Sequence, residues 1–137
     1  MKTWGRGISS RGASLSRSPS RYSSAPKEPR LISTHILDIS IGAPAAGVTV
    51  RLDKEGGGEW ASLSQSETNQ DGRISFAIEH EPGTYRLTFL IGAHFRQRGQ
   101  QPFFPEATVV FIVEDTGRKY HVPLLLSPFG YSTYRGS

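Results

Sequence analysis

From Leu31 onward the chain alternates between short apolar runs and clusters of turn-forming residues. Val48-Thr49-Val50-Arg51-Leu52 follows the period of two expected of a half-buried strand, and Ile32-Ser33-Thr34-His35-Ile36-Leu37-Asp38 is strand-like in composition. Gly42-Ala43-Pro44, Glu55-Gly56-Gly57-Gly58, Asn69-Gln70-Asp71-Gly72 and Pro82-Gly83 break the pattern as turns or loops. Between and after them the spacing predicts strands over 60–68, 73–78, 85–90, 108–114, 119–126 and, last, around 131–135. Residues Ala93 to Arg98 have the composition of a short helix closed by Gly99. Eight short strands with turn signals between them predict a mainly β fold, an antiparallel β-sandwich with one short α-helix. Pro123, which has no N–H for a ladder, predicts an edge or a bulge in the seventh strand.

Residues 1–30 do not share this texture. They are rich in Ser, Arg, Gly and Pro, with Trp4, Ile8 and Leu15 as isolated apolar positions, so they bury too little to offset the entropy of ordering. The expected organisation is a disordered basic head over 1–30 and one folded domain over 31–137. The net charge of +4 divides unevenly, +6 in the head and −2 in the remainder. The folded part therefore lacks the basic character of a nucleic-acid-binding domain. The Arg/Ser bias of the head resembles an organellar transit peptide, with an untargeted extension as the alternative. The absence of cysteine excludes disulfides, thiolate metal sites and a cysteine nucleophile. Apolar runs such as Val109 to Val113 fall far short of the roughly 20 residues of a membrane span, which predicts a soluble protein with no membrane partner.

Histidine is then the residue type to examine. His35 falls mid-strand on the face of Ser33 and Leu37, and His121 falls mid-strand with Pro123 and Leu125. A strand histidine is more often a hydrogen-bonded structural residue than a catalyst. His80 and His94 read as surface residues. No His-x-His or His-Glu-x-x-His spacing suggests a metal, and no cofactor motif is present. Arg73 follows Asp71-Gly72 at a strand start, where a solvated side chain is the ordinary expectation. The closing run is apolar, then aromatic, and ends on Tyr134-Arg135-Gly136-Ser137, so a core strand carries the last residues against packed structure.

Thr34-His35-Ile36-Leu37-Asp38, Asp71-Gly72-Arg73 and Tyr120-His121-Val122-Pro123-Leu124-Leu125-Leu126-Ser127-Pro128, with the final Tyr131-Ser132-Thr133-Tyr134-Arg135-Gly136-Ser137, resemble the 5-hydroxyisourate hydrolases of the transthyretin-like family. The resemblance covers 31–137, and the closing Tyr-Arg-Gly-Ser is its most specific element. It implies a transthyretin-like sandwich assembled as a homotetramer, with active sites in a channel between dimers. It also implies hydrolysis of 5-hydroxyisourate to 2-oxo-4-hydroxy-4-carboxy-5-ureidoimidazoline in urate catabolism, without metal or cofactor. His35, Arg73, His121 and Ser137 fall at the family's catalytic positions, and Tyr134 at a substrate contact. A peroxisomal or cytosolic location follows by resemblance, although the closing Arg-Gly-Ser is not a peroxisomal Ser-Lys-Leu.

The chemistry implied is water attack on a ring amide. His35 and His121 would orient and deprotonate the water and return the proton; which is the base stays open. Arg73 would bind substrate oxygens and stabilise developing charge. Ser137, by its hydroxyl or terminal carboxylate, would orient an imidazole or the water, and Arg135 would fix the tail by ion pairing. The competing expectation is a transthyretin-like carrier of an apolar ligand, which would want an apolar channel rather than these polar groups.

Overall fold

Two sheets share one hydrophobic core. The computed structural model describes residues 30–137 apart from His80 and Thr116, so the expectations for the head before Arg30 and for His80 lie outside the described residues. The first sheet is built on β1 (Arg30–Asp38). β5 (Arg73–Ile78) and the two-residue β2 (Ala43–Pro44) pair antiparallel with one side of it. β8 (Tyr120–His121) and β9 (Leu124–Ser127) pair parallel with the other, and β10 (Gly130–Thr133) continues the sheet beyond β9. The second sheet runs β4 (Glu59–Glu67), β3 (Thr49–Gly56), β6 (Gly83–Phe89) and β7 (Ala107–Val113). A helix, α1 (Gly92–Gln97), follows β6.

The alternation that predicts the strands is the alternation that fills the core. Ile32, Thr34 and Ile36 of β1 point inward, and Val50 and Leu52 of β3 and Tyr85, Leu87 and Phe89 of β6 meet them from the second sheet. Each large side chain fully buried here contributes about 1.5–3 kcal/mol. The intervening β1 residues Leu31, Ser33, His35 and Leu37 are half-buried on the opposite face. The side of the first sheet away from the core is thus where His35 stands.

The single strand expected over 119–126 is two strands. Pro123 offers no N–H, and the ladder stops at Val122-Pro123 while the register to β1 is the same on both sides of the gap. The hydroxyl of Thr34 donates to the Val122 carbonyl at 2.6 Å, satisfying an acceptor that the interrupted ladder would leave buried. The final strand ends at Thr133, so Tyr134 and Arg135 lie past it. The turn expected at Gly42–Pro44 contains the extra short strand β2.

His94 departs from its expected surface position. Its Nε2 lies 2.8 Å from Oδ2 of Asp38, a fully buried carboxylate at the end of β1 that also accepts from the Ser40 backbone N–H at 3.0 Å and from the Ser40 hydroxyl. This pair fastens α1 to the strand carrying His35. Burial pushes the Asp38 carboxyl up, but the hydrogen bonds from Ser40 and His94 and the charge of His94 outweigh it, leaving the pKa below 3.8. A depressed folded pKa stabilises above the unfolded value and is lost as pH falls through the folded one. Thermal melts should therefore show the wild type losing stability below about pH 4 more steeply than Asp38→Asn. At neutral pH that variant should be the less stable by about 1–3 kcal/mol. Parallel pH curves for the two proteins would contradict this account. Among the described residues no helix is long and apolar enough to cross a membrane.

Candidate active site

The site is assembled on β1 by its two neighbours. In the antiparallel pairing His35 lies directly opposite Arg73 and Ser33 opposite Ser75; in the parallel pairing Ser33 lies beside His121. Residues separated by two along a strand share a face, so Ser33 and His35 look the same way. Arg73 is placed by the turn before it. Asn69 Oδ1 accepts from the backbone N–H of Asp71 at 2.9 Å and of Arg73 at 3.0 Å, closing the turn from its side chain. Gly72 completes it at φ +74°, and a Cβ there would stand 2.6 Å from the Ile36 carbonyl oxygen. Only glycine suits that position, which explains the Asp-Gly-Arg spelling.

Arg73, His121 and Ser137 line one open cavity of about 230 Å³, with Ser33, Ser75 and Lys119. His35 stands beside it, close enough for its charge to act on His121. Ser137 reaches the cavity because the tail folds back on β8. The N–H of Gly136 donates to the His121 carbonyl at 2.8 Å, and the Arg135 guanidinium sits 5.0 Å above the Tyr120 ring. Arg135 thus holds the tail by a cation–π contact, where an ion pair was the sequence expectation. Gly136 lies against the imidazole itself: a Cβ there would be 2.5 Å from His121 Cδ2.

His121 is the most constrained group in the cavity. Its Nδ1 is 2.8 Å from the Ser33 hydroxyl. Burial first, then the charges of Arg73 and His35, hold its pKa below 6.5 against a smaller opposing effect of the Ser33 backbone. The ring is therefore neutral at pH 7. Tyr134 is placed differently from the other expected site residues. It is 57% exposed and lines a second, mostly apolar groove with Val110, Ile112 and Arg135, and His121 borders both spaces. Ser33, Ser75 and Lys119 are not among the site residues expected from the sequence, and Gly136 enters there only as part of the closing motif. Ser33 had a usable signal, since it shares the His35 face; Lys119 had none.

The profile of the HIUase/Transthyretin family matches residues 32–136. The chain belongs to this family. The 5-hydroxyisourate hydrolase of Salmonella typhimurium is 46% identical over 110 residues, covering 78% of this chain and 81% of that one. Among solved structures, the 5-hydroxyisourate hydrolase of Klebsiella pneumoniae is 45% identical, with a TM-score of 0.69 over 78% of this chain and 99% of that one. Sea bream transthyretin in complex with thyroxine is 32% identical, with a TM-score of 0.73 over 77% and 93%. The same fold is thus found in a 5-hydroxyisourate hydrolase and in a transthyretin that binds thyroxine. In this chain a guanidinium, an ammonium and an imidazole line the cavity.

Proposed function

We propose that this chain hydrolyses 5-hydroxyisourate in urate degradation, with His121 as the base that activates water. The observation that carries the reading is an imidazole fixed by Ser33 and Gly136 in one cavity with Arg73 and Ser137, its pKa held below the ordinary histidine value by burial and by the charges of Arg73 and His35. The substrate is a flat, oxygen-rich ring whose amide must be opened by water. His121 takes a proton from the water as its oxygen bonds to the ring carbonyl carbon. Arg73 donates hydrogen bonds to the carbonyl oxygen as it becomes an oxyanion. The C–N bond then breaks, and the nitrogen leaves with the proton returned by a histidine, His35 standing beside His121 for this transfer. Ser137 orients the water or the imidazole.

A carrier reading fits less well. An apolar ligand in this cavity would strip water from Arg73 and Lys119 without replacing their hydrogen bonds. Assembly as a homotetramer is part of the proposal. Val110 and Ile112 on the edge strand β7 are 54% and 64% exposed, and Tyr131 and Tyr134 at the other sheet's edge are 37% and 57% exposed. Apolar edges of this kind favour burial against another chain. Tyr134, open on such an edge, then reaches substrate where copies meet.

The direct test uses freshly generated 5-hydroxyisourate and follows its decay by absorbance. The protein should accelerate the decay, with activity falling on the acid side through a pKa below 6.5, because protonated His121 has no lone pair left for water. Decay no faster than in buffer would refute the function. Light scattering on the same sample checks the tetramer.

A further inference from the structure

We propose that Ser33 is a positioning residue, fixing the His121 proton on Nδ1 so that Nε2 presents its lone pair to the cavity. The catalytic part of this inference rests on His121 acting as the base; the tautomer itself does not.

A neutral imidazole carries one ring proton, and the partner of one nitrogen decides which nitrogen holds it. His121 is restrained in three ways, two through its main chain and one through its ring. Its backbone is paired to Ser33 in the parallel ladder, its carbonyl accepts from Gly136, and its Cδ2 edge lies against the Gly136 backbone. These leave Nδ1 facing Ser33 at 2.8 Å. Nε2, on the far side of the ring, is the nitrogen left for a substrate or water.

Two features favour the proton on Nδ1. The Ser33 hydroxyl accepts as readily as it donates, so it can take the Nδ1 proton's hydrogen bond while its own O–H stays available as a donor. The Ser33 backbone also stabilises a proton on this histidine, opposing the burial and the charges of Arg73 and His35. A donor at Nδ1 meets the oxygen of the Ser33 hydroxyl. In water the isolated neutral ring prefers its proton on Nε2, where it would block base catalysis. Ser33 reverses that preference without adding charge. A carboxylate in its place would raise the pKa of an imidazole that has to remain neutral at pH 7.

The test combines nitrogen NMR of protein labelled at histidine with steady-state kinetics. The His121 signals are assigned by their absence in His121→Gln. In the wild type, the two-bond proton–nitrogen pattern at pH 7.5 or so should report protonated Nδ1 and bare Nε2. Ser33→Ala should shift the ring toward the Nε2–H form and lower kcat by about 10–100-fold, the usual cost of removing an outer partner from a functional histidine, with KM nearly unchanged. The acid limb of its rate profile should move to lower pH, because the imidazolium loses an acceptor. Ser33→Thr keeps the hydroxyl and should restore both the tautomer and most of kcat. A wild-type proton on Nε2, or Ser33→Ala with tautomer and kcat unchanged, would overturn the proposal. A wild type inactive on 5-hydroxyisourate would instead overturn the proposed function, while the nitrogen spectra would still decide the role of Ser33.

Discussion

His121→Ala is expected to lower kcat/KM for 5-hydroxyisourate by about 10²–10⁴-fold, the range for loss of a positioned general base. The fold should survive. His121 is half-buried on the cavity face, and its strand is held by main-chain pairing to β1 and by the buried Tyr120 and Val122 on either side. Circular dichroism and the oligomer size should therefore match the wild type while the rate collapses. His35→Ala is the informative companion, because His35 makes up the other half of the acid–base scheme. If both variants decayed the substrate at the wild-type rate, no role for imidazole in the chemistry would remain.

Arg73→Gln is the second large effect, about 10²–10³-fold in kcat, as for removal of an oxyanion donor. It should also move a second observable in a fixed direction. Burial and then the Arg73 charge hold the His121 pKa below its ordinary value, with His35 adding to them. Removing the guanidinium takes away one depressing influence, so the His121 pKa rises and the acid limb of activity moves to higher pH. This is opposite to the shift expected from Ser33→Ala, so the two profiles tell the influences apart. An Arg73→Gln enzyme with raised KM, unchanged kcat and an unmoved acid limb would reduce Arg73 to a residue that binds substrate and transition state alike.

The local parts of this molecule are written locally. The alternation of Val48 to Leu52 and the Asn69–Gly72 turn signal are satisfied within a few residues, and the strands and the placement of Arg73 were legible for that reason. Pro123 announced a defect but not its form, because a bulge and a break differ only in what the neighbouring strand supplies, here the Thr34 hydroxyl. His94 looked like a surface helix residue because its partner, Asp38, lies at the end of a distant strand. Ser33 and Gly136 matter through a ring they touch across the sheet, a relation that periodicity does not encode. The placement of Tyr134 depends on where the last strand stops, and strand ends are set by pairing partners rather than by composition.

The parallel pairing of β1 with β8 has a consequence for how the molecule comes into being. Ser33 and His121 are 88 residues apart, so the contact that orients the base joins the first strand of the domain to one of its last. The sheet of β4, β3, β6 and β7 is wholly antiparallel, and its pairings span shorter stretches of chain than the contact of β1 with β8. All four of its strands are synthesised before β8 and β9, and until those arrive one side of β1 stands open. The protein is thus born with its scaffold first and its reactivity last, and a nascent chain stalled before residue 121 is a body without a site.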